Sequence, residues 1–276
     1  MNNTAKIALV PGASRPFGRA VAHAFGKAGI SLALPYIDDW PGSVDDMLRD
    51  FSQCGYTFSP HRCELTKPDE VRELISAIEK QFGGLHYLIN NIERGGMPVV
   101  HGSYDRTVNK SQWQLELDTT LKAKWELYRH SLPLIKQSGG GSITNISSIA
   151  GRTGRCGPAS YLFSDGYSAA NRAVQSLTES WAREAGPSIR VNEVMVGLVR
   201  GRHAENTRGW GLLSDDQQKA LIEHTILKRT ADPGEIADLV YYLAVRASYV
   251  TGSVTVADGG YCLGGEGVAE MMPGDV

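Results

Sequence analysis

The 276-residue sequence contains only four cysteines, Cys54, Cys63, Cys156 and Cys262, with no C-x-x-C and no paired spacing. Such a scatter argues against a disulfide framework and predicts free thiols in a reducing compartment. No apolar run approaches the roughly 20 residues needed to span a bilayer. The opening Met-Asn-Asn-Thr-Ala-Lys lacks the apolar region of a signal peptide. Together these absences predict a cytoplasmic protein with no membrane partner. The 28 basic and 30 acidic residues leave a formal charge of −2, so no overall field favours nucleic acid. No His/Cys/Asp/Glu cluster shows metal-ligand spacing, and no metal is expected. Repeats, low-complexity tracts and linkers are missing too. A chain of this length suits one α/β domain, residues 1–276, rather than two.

What is present is an alternation of short apolar runs with longer amphipathic ones. Ile7–Val10, Ser31–Leu34, His86–Asn90, Ser142–Ile146, Ile189–Val194 and Ser253–Val256 read as buried strands, with Tyr56–Arg62 weaker. Phe17–Lys27, Pro68–Phe82, Ser111–Gln137, Tyr167–Ala185 and Pro233–Val245 carry helical spacing. This βαβ alternation predicts a single Rossmann-like, doubly wound parallel sheet flanked by helices. Thr66-Lys67-Pro68-Asp69-Glu70 reads as a hydroxyl cap, an N1 proline and acids in sequence, and Gly139-Gly140-Gly141 ends the long central helix. The stretch 197–228, irregular up to Gly211 and then a short helix near Asp215–His224, reads as a lid-like insertion.

Several motifs fall at the carboxyl ends of these strands. Val10-Pro11-Gly12-Ala13-Ser14-Arg15-Pro16-Phe17-Gly18 leaves the first strand and opens the first helix, the setting of a phosphate site. Proline fixes φ and removes an N–H donor. Pro16 therefore either forces the loop to be rebuilt or sits at the first helical position, leaving the amides of Phe17 and Gly18 for phosphate. Further on come Cys63-Glu64-Leu65-Thr66, Asn90-Asn91-Ile92-Glu93, Asn145-Ile-Ser-Ser148-Ile-Ala-Gly151, Tyr167-Ser-Ala-Ala-Asn171, Ile189-Arg-Val-Asn192, Val196-Gly197-Leu198-Val199 and Tyr249-Val-Thr-Gly-Ser-Val-Thr-Val-Ala-Asp-Gly-Gly260.

In this combination and order the motifs resemble the short-chain dehydrogenase/reductase family, over about residues 5–262. The resemblance implies an oxidoreductase that moves hydride between a nicotinamide and a small carbonyl or alcohol substrate, and a homo-oligomer, dimer or tetramer. It implies Ser148 as the serine that holds the substrate oxygen and Tyr167 as the proton donor or acceptor. The family's lysine position is Asn171, and its central-helix asparagine position is Thr120. Cofactor contacts carried over in this way are Gly12, Ser14, Arg15, Phe17, Gly18, Leu65, Asn90, Asn171 and Val199. The family's usual Ser–Tyr spacing instead selects Tyr161, followed at i+4 by Asp165; Tyr167 is favoured because it keeps the spacing to Ile189-Arg-Val-Asn192, with an insertion inside Cys156–Gly166. Neither tyrosine restores a lysine. Lys124, one turn after Thr120, is a candidate to supply the cation, as are Arg152, Arg155 and Arg172, although each also reads as a solvated surface charge.

NADP(H) is favoured over NAD(H), because Leu34-Pro35-Tyr36-Ile37 carries no carboxylate where NAD-preferring members do and Arg15 offers a guanidinium to a 2′-phosphate. Arg200, Arg202, His203 and Arg208 are candidates for an anionic substrate. Two alternatives accompany the oxidoreductase reading. One is a catalytically silent dinucleotide-binding subunit, favoured by the joint changes at Pro16, Glu93, Thr120 and Asn171. The other is a cofactor-free dehalogenase or lyase-like activity. Halohydrin dehalogenases look similar but carry arginine at the lysine position, and here the arginine is Arg172, one residue out of register.

Overall fold

The apolar runs become strands of one parallel sheet. In the computed structural model, which describes residues 5–38, 42–92, 112–202, 204, 205 and 210–264, the strands are Ile7–Leu9 (β1), Ser31–Tyr36 (β2), Phe58–Arg62 (β3), Tyr87–Asn90 (β4), Gly141–Ser148 (β5), Ile189–Val196 (β6) and Val254–Ala257 (β7). They form a seven-stranded sheet in the order β3-β2-β1-β4-β5-β6-β7, parallel at every pairing. The doubly wound Rossmann-like architecture expected from the alternation is therefore present.

Side chains alternate between the faces of a strand, and each face of this sheet buries its own cluster. Ala8, Leu32, Leu34, Ile146, Val194 and Val196 lie on the face covered by Pro16–Lys27 (α1), Ser43–Gln53 (α2) and Pro233–Tyr241 (α9). Leu9, Ala33, Leu88, Ile143, Ile189 and Val191 lie on the face covered by Pro68–Phe82 (α3), Ala123–Gln137 (α5) and Asp165–Ala185 (α7). Each buried leucine or phenylalanine contributes about 1.5–3 kcal/mol, so these two clusters hold the helices more than intrinsic propensity does.

Helix ends follow local chemistry, with corrections to the sequence reading. Pro68 is at the start of α3, but the cap residue is Lys67, which makes no side-chain cap; Thr66 instead donates its hydroxyl to Glu64 Oε1 at 3.0 Å. Helix α2 is absent from the sequence reading because its few buried residues, Val44, Met47 and Phe51, are set among acids directly after a left-handed Gly42. The expected central helix is divided into Gln112–Leu117 (α4), a π turn over Asp118–Lys122 and α5; Ser111 lies outside the described residues. Helix α9 likewise passes into a π turn over Tyr242–Arg246.

The stretch 197–228 includes the expected helix, Asp215–His224 (α8), begun by a reciprocal Ser214–Gln217 capping box. Leu198, Trp210, Leu213 and Leu221 form a third cluster with Tyr167, Met195 and Tyr261. No helix among the described residues is long and apolar enough to cross a membrane.

Candidate functional site

The strand order reverses direction between β1 and β4, and in open α/β sheets ligands bind beyond the carboxyl ends of the strands at such a switch point. After β1 the chain turns tightly at Gly12, whose φ is 75°, and the Arg15 amide donates to the Gly12 carbonyl at 3.0 Å. After β4 comes Asn91, whose Nδ2 donates to the Pro11 carbonyl at 3.2 Å. The approach needs glycine: a Cβ on Gly12 would lie 3.0 Å from Asn91 Nδ2. Gly18 performs the same service for α1, since a Cβ there would stand 2.2 Å from the Gly12 carbonyl oxygen. Pro16 occupies the first helical turn with Arg15 as the cap residue, the milder of the two sequence readings, where a missing N–H is tolerated. Arg19, which the sequence reading passes over, holds the loop to α2 by donating to the carbonyls of Ala13, Ser14 and Ser43.

The segment after β6 folds back onto this loop. Gly201, at φ 74°, lies against Pro16, and a Cβ on it would be 2.7 Å from Pro16 Cβ. The Arg202 guanidinium lies 4.8 Å above the Phe17 ring and donates from Nη1 to Asn91 Oδ1 at 2.8 Å. Arg200, by contrast, pairs with Asp232 at the start of α9. His203, Arg208 and Glu93 lie outside the described residues. Val199 is buried and bridges in parallel to Ala231, Leu65 packs beside the α3 cluster, and Ser14 is buried in the loop. Asn90 is buried at the end of β4, where its Nδ2 donates to the Lys124 carbonyl at 3.0 Å and to Asn145 Oδ1 at 3.1 Å.

Beyond β5 lies the second half of the candidate site. Ser148 ends the strand, is fully buried, and accepts at Oγ from the Ala150 amide at 3.2 Å. The short helix Ala150–Thr153 (α6) then rests on α7 through Gly151, where a Cβ would meet the Arg172 nitrogen at 2.7 Å and the Asn171 carbonyl carbon at 2.8 Å. This contact sets the turn after Ser148 against Asn171 and Arg172. Ser164 caps α7, accepting from the Tyr167 amide at 3.2 Å and donating to Glu116 on α4 at 2.6 Å. Tyr167 is 2% exposed, whereas Tyr161, in a 3-10 turn over Pro158–Tyr161, is 43% exposed. Asp165 is exposed as well and pairs with Arg155 at 3.3 Å. The turn containing Tyr161 is fastened from the C-terminal side, where the Tyr261 hydroxyl accepts from the Ala159 amide at 2.7 Å.

Asn171 is fully buried, with Nδ2 donating to the Tyr167 carbonyl at 3.0 Å and no partner at Oδ1 among the described residues. Thr120, inside the π turn, is likewise buried with Oγ1 unpartnered among the described residues. Buried polar atoms without partners are uncommon, and both fall at positions the sequence reading assigned to the site. Arg152 and Arg172 are exposed, which suits solvated charges. Lys124 is not a solvated charge: it is 0% exposed and donates from Nζ to the Ile92 carbonyl at the end of β4.

Between the sheet and helices α5 and α7 runs a buried polar row. Asn90 pairs in register with Asn145, and Asn145 with Glu193. Asn145 Nδ2 donates to Thr178 Oγ1 at 2.8 Å, and both Thr178 and Ser147 donate to the Glu193 carboxylate. Burial raises the Glu193 pKa above its ordinary 4.5, opposed by those hydrogen bonds and by the charges of Lys124 and Arg172. A raised folded pKa contributes stability that is full below the ordinary value and is lost as pH rises through the folded one. The stability of Glu193→Gln relative to the parent protein should therefore increase with pH; parallel melting curves from pH 5 to 8 would contradict it.

A doubly wound parallel sheet with a glycine turn at its switch point, and with Ser148 and Tyr167 buried beside it, defines a Rossmann-like protein. Comparison with known proteins gives the narrower assignment. A family model described as enoyl-(acyl carrier protein) reductase matches residues 12–262. The chain is 34% identical over 262 residues to a 3-alpha-(or 20-beta)-hydroxysteroid dehydrogenase of Mycobacterium bovis, covering 94% of this chain and 90% of the relative. It is 30% identical over 257 residues to the 3-oxoacyl-(acyl-carrier-protein) reductase FabG of Staphylococcus epidermidis, covering 92% and 98%. Among solved structures, the NADPH-dependent 3-quinuclidinone reductase of Rhodotorula rubra superposes with a TM-score of 0.79 at 27% identity, covering 94% of this chain and 91% of that one. The chain belongs to the short-chain dehydrogenase/reductase family of oxidoreductases.

Proposed function

We propose that the protein is an NADP-dependent oxidoreductase that transfers hydride between the nicotinamide and a carbonyl or alcohol group of a small molecule, with Tyr167 and Ser148 at the reacting oxygen. The observation that carries this reading is the burial of both Ser148 and Tyr167, with Gly151 after Ser148 packed on Asn171 and Arg172 of α7, while Tyr161 is 43% exposed. A neutral phenol donates its hydroxyl proton, so Tyr167 can serve as the acid that carbonyl reduction requires. Ser148 Oγ accepts from the Ala150 amide, which leaves its own proton to donate to the substrate oxygen.

The residues present fit a dinucleotide. Gly12 and Gly18 let the loop pack tightly against Asn91 and against the start of α1, where a Cβ would clash, and Asn171 Oδ1 and Thr120 Oγ1, unpartnered among the described residues, offer polar contacts to a nicotinamide ribose. When bound, that cofactor supplies or receives the hydride. Phe17 and Gly18 amides would face its phosphates, Leu65 its adenine, and Val199 its carboxamide. The preference for NADP rests on Arg15 and on the absence of a carboxylate within Leu34–Tyr36; Asp38 is exposed, two residues beyond the strand end. The NADPH dependence of the quinuclidinone reductase agrees with it. The role of the family lysine is divided in this reading: Asn171 gives an acceptor without charge, and Lys124 a buried charge on the β4 side. Assembly into a homo-oligomer through the long helices accords with Trp125 standing 40% exposed on α5.

The silent-subunit reading has one observation in its favour, the commitment of the Asn171 amide to its own helix. Replacing Asn171 with lysine separates the two. On the oxidoreductase reading Asn171 belongs to a working arrangement, and N171K should lower carbonyl-dependent NADPH oxidation at least tenfold. A parent protein that binds NADPH by fluorescence titration yet turns over nothing on a broad carbonyl panel, with N171K gaining activity, would support a degraded site instead. Failure to bind NADPH would remove the nicotinamide reading altogether.

A further inference from the structure

Within the dinucleotide reading, we propose that Arg202 is an anion ligand of this protein, its guanidinium supplying to the pyrophosphate the donor that Pro16 removes from the glycine loop. A helix N-terminus binds phosphate through backbone amides that have no partner inside the helix. Proline at the opening turn of α1 leaves that set one donor short. At the same place the chain delivers a side chain with five N–H donors in a planar fork, the geometry best matched to phosphate oxygens.

Arg202 reaches the loop by a built route. Its backbone amide donates to the Val199 carbonyl at 2.9 Å, and the Gly201 amide donates to the Glu205 carbonyl at 2.7 Å, closing a tight turn. The left-handed Gly201 lets that turn lie directly on Pro16, a contact any Cβ would prevent. The guanidinium then stacks on Phe17, the residue after Pro16, and bonds Asn91 Oδ1. Asn91 is itself oriented, because its Nδ2 is fixed on the Pro11 carbonyl. The residues that position Arg202 are thus Pro11, Pro16, Phe17 and Asn91, which are the glycine loop and the strand end facing it across the switch point. Stacking on an aromatic face leaves the edge of a guanidinium to hydrogen-bond, so one group serves Asn91 and an anion together. Arg200, two residues earlier, is held by Asp232 at the surface and does not share the role.

The test uses ADP-ribose, which carries the pyrophosphate without a nicotinamide, alongside NADPH. By calorimetry, R202A should weaken both about 10- to 100-fold, the usual loss for a charge-assisted hydrogen bond. R202K should recover part of the loss, since it restores charge without the fork. The distinguishing arm is the double variant: Pro16→Gly returns an amide to the loop, so the penalty of R202A should be smaller in the P16G background than in the parent. If R202A binds ADP-ribose as tightly as the parent or more tightly, Arg202 occupies the crevice without serving it, and the assignment fails while the dinucleotide reading stands. If the parent binds neither ligand, both fail.

Discussion

Replacing Tyr167 with phenylalanine should lower kcat for carbonyl reduction by about 10²–10⁴-fold, the usual loss when a positioned general acid is removed. The phenol oxygen is the only atom deleted. The ring keeps its place against Phe163, 6.0 Å away between centroids, and within the cluster of Met195, Leu198 and Trp210. Melting temperature and NADPH affinity should therefore hold, which separates lost chemistry from lost structure. The same change at Tyr161 should leave turnover near the parent value, because that ring is 43% exposed and is not a member of the cluster, although Ala159 of the same turn is. The opposite result, with Tyr161→Phe inactive and Tyr167→Phe active, would move the chemistry to the shorter Ser–Tyr spacing and undo the proposed role of α7.

Gly18→Ala should have the largest effect on binding and stability together. The added carbon would lie 2.2 Å from the Gly12 carbonyl oxygen and 2.5 Å from its carbon. Both are backbone atoms and cannot rotate away as a flexible side chain can. Either α1 tilts off the sheet or the Gly12–Arg15 turn opens. The first option disturbs Phe17, Val21 and Phe25, all buried in the α1 cluster; the second dismantles the phosphate loop. Overpacking of this kind costs about 1–3 kcal/mol or more, and each kcal/mol corresponds to roughly 2–4 °C in a chain of this size. A fall in Tm of several degrees with loss of NADPH binding is expected. Gly211→Ala, where no described residue lies within 4 Å of the added carbon, is the control. An unchanged Tm and affinity for Gly18→Ala would contradict the packing described.

The fold was legible because its signals are local. Apolar runs gave every strand to within a few residues, and Pro68 and the Gly139–Gly141 turn marked their helix ends. The parts that were not legible depend on tertiary register. Nothing in Asp118–Lys122 announces a π turn, and the sequence leaves Lys124 open between a cation for the site and a solvated charge; the structure buries it, with the Ile92 carbonyl as its acceptor. Arg202 had no sequence signal tying it to the glycine loop, since the two come together only through the path of the chain after β6. Glu193 did leave a trace. It shares a strand face with Ile189 and Val191, so a carboxylate in that row was out of keeping with a strand covered on both sides. At the site, the motif positions were readable from the resemblance, but the environments of Tyr161 and Tyr167 were not, because burial depends on tertiary contacts such as the one by which Tyr261 fastens the Pro158–Tyr161 turn.

The row formed by Asn90, Asn145 and Glu193 also bears on how β4, β5 and β6 select their alignment. Strands rich in aliphatic residues on both faces can pair out of step at small penalty, and a one-residue slip exchanges the faces of every side chain. In this sheet such a slip would carry Glu193 to the face held by Ile146, Val194 and Val196, away from Ser147 and Thr178. A buried carboxylate without those donors is disfavoured by several kcal/mol. The apolar clusters reward many alignments, whereas the three polar residues tolerate one. The row thus acts as a key against misassembly of the central strands, protecting the alignment that sets Ser148 at the end of β5.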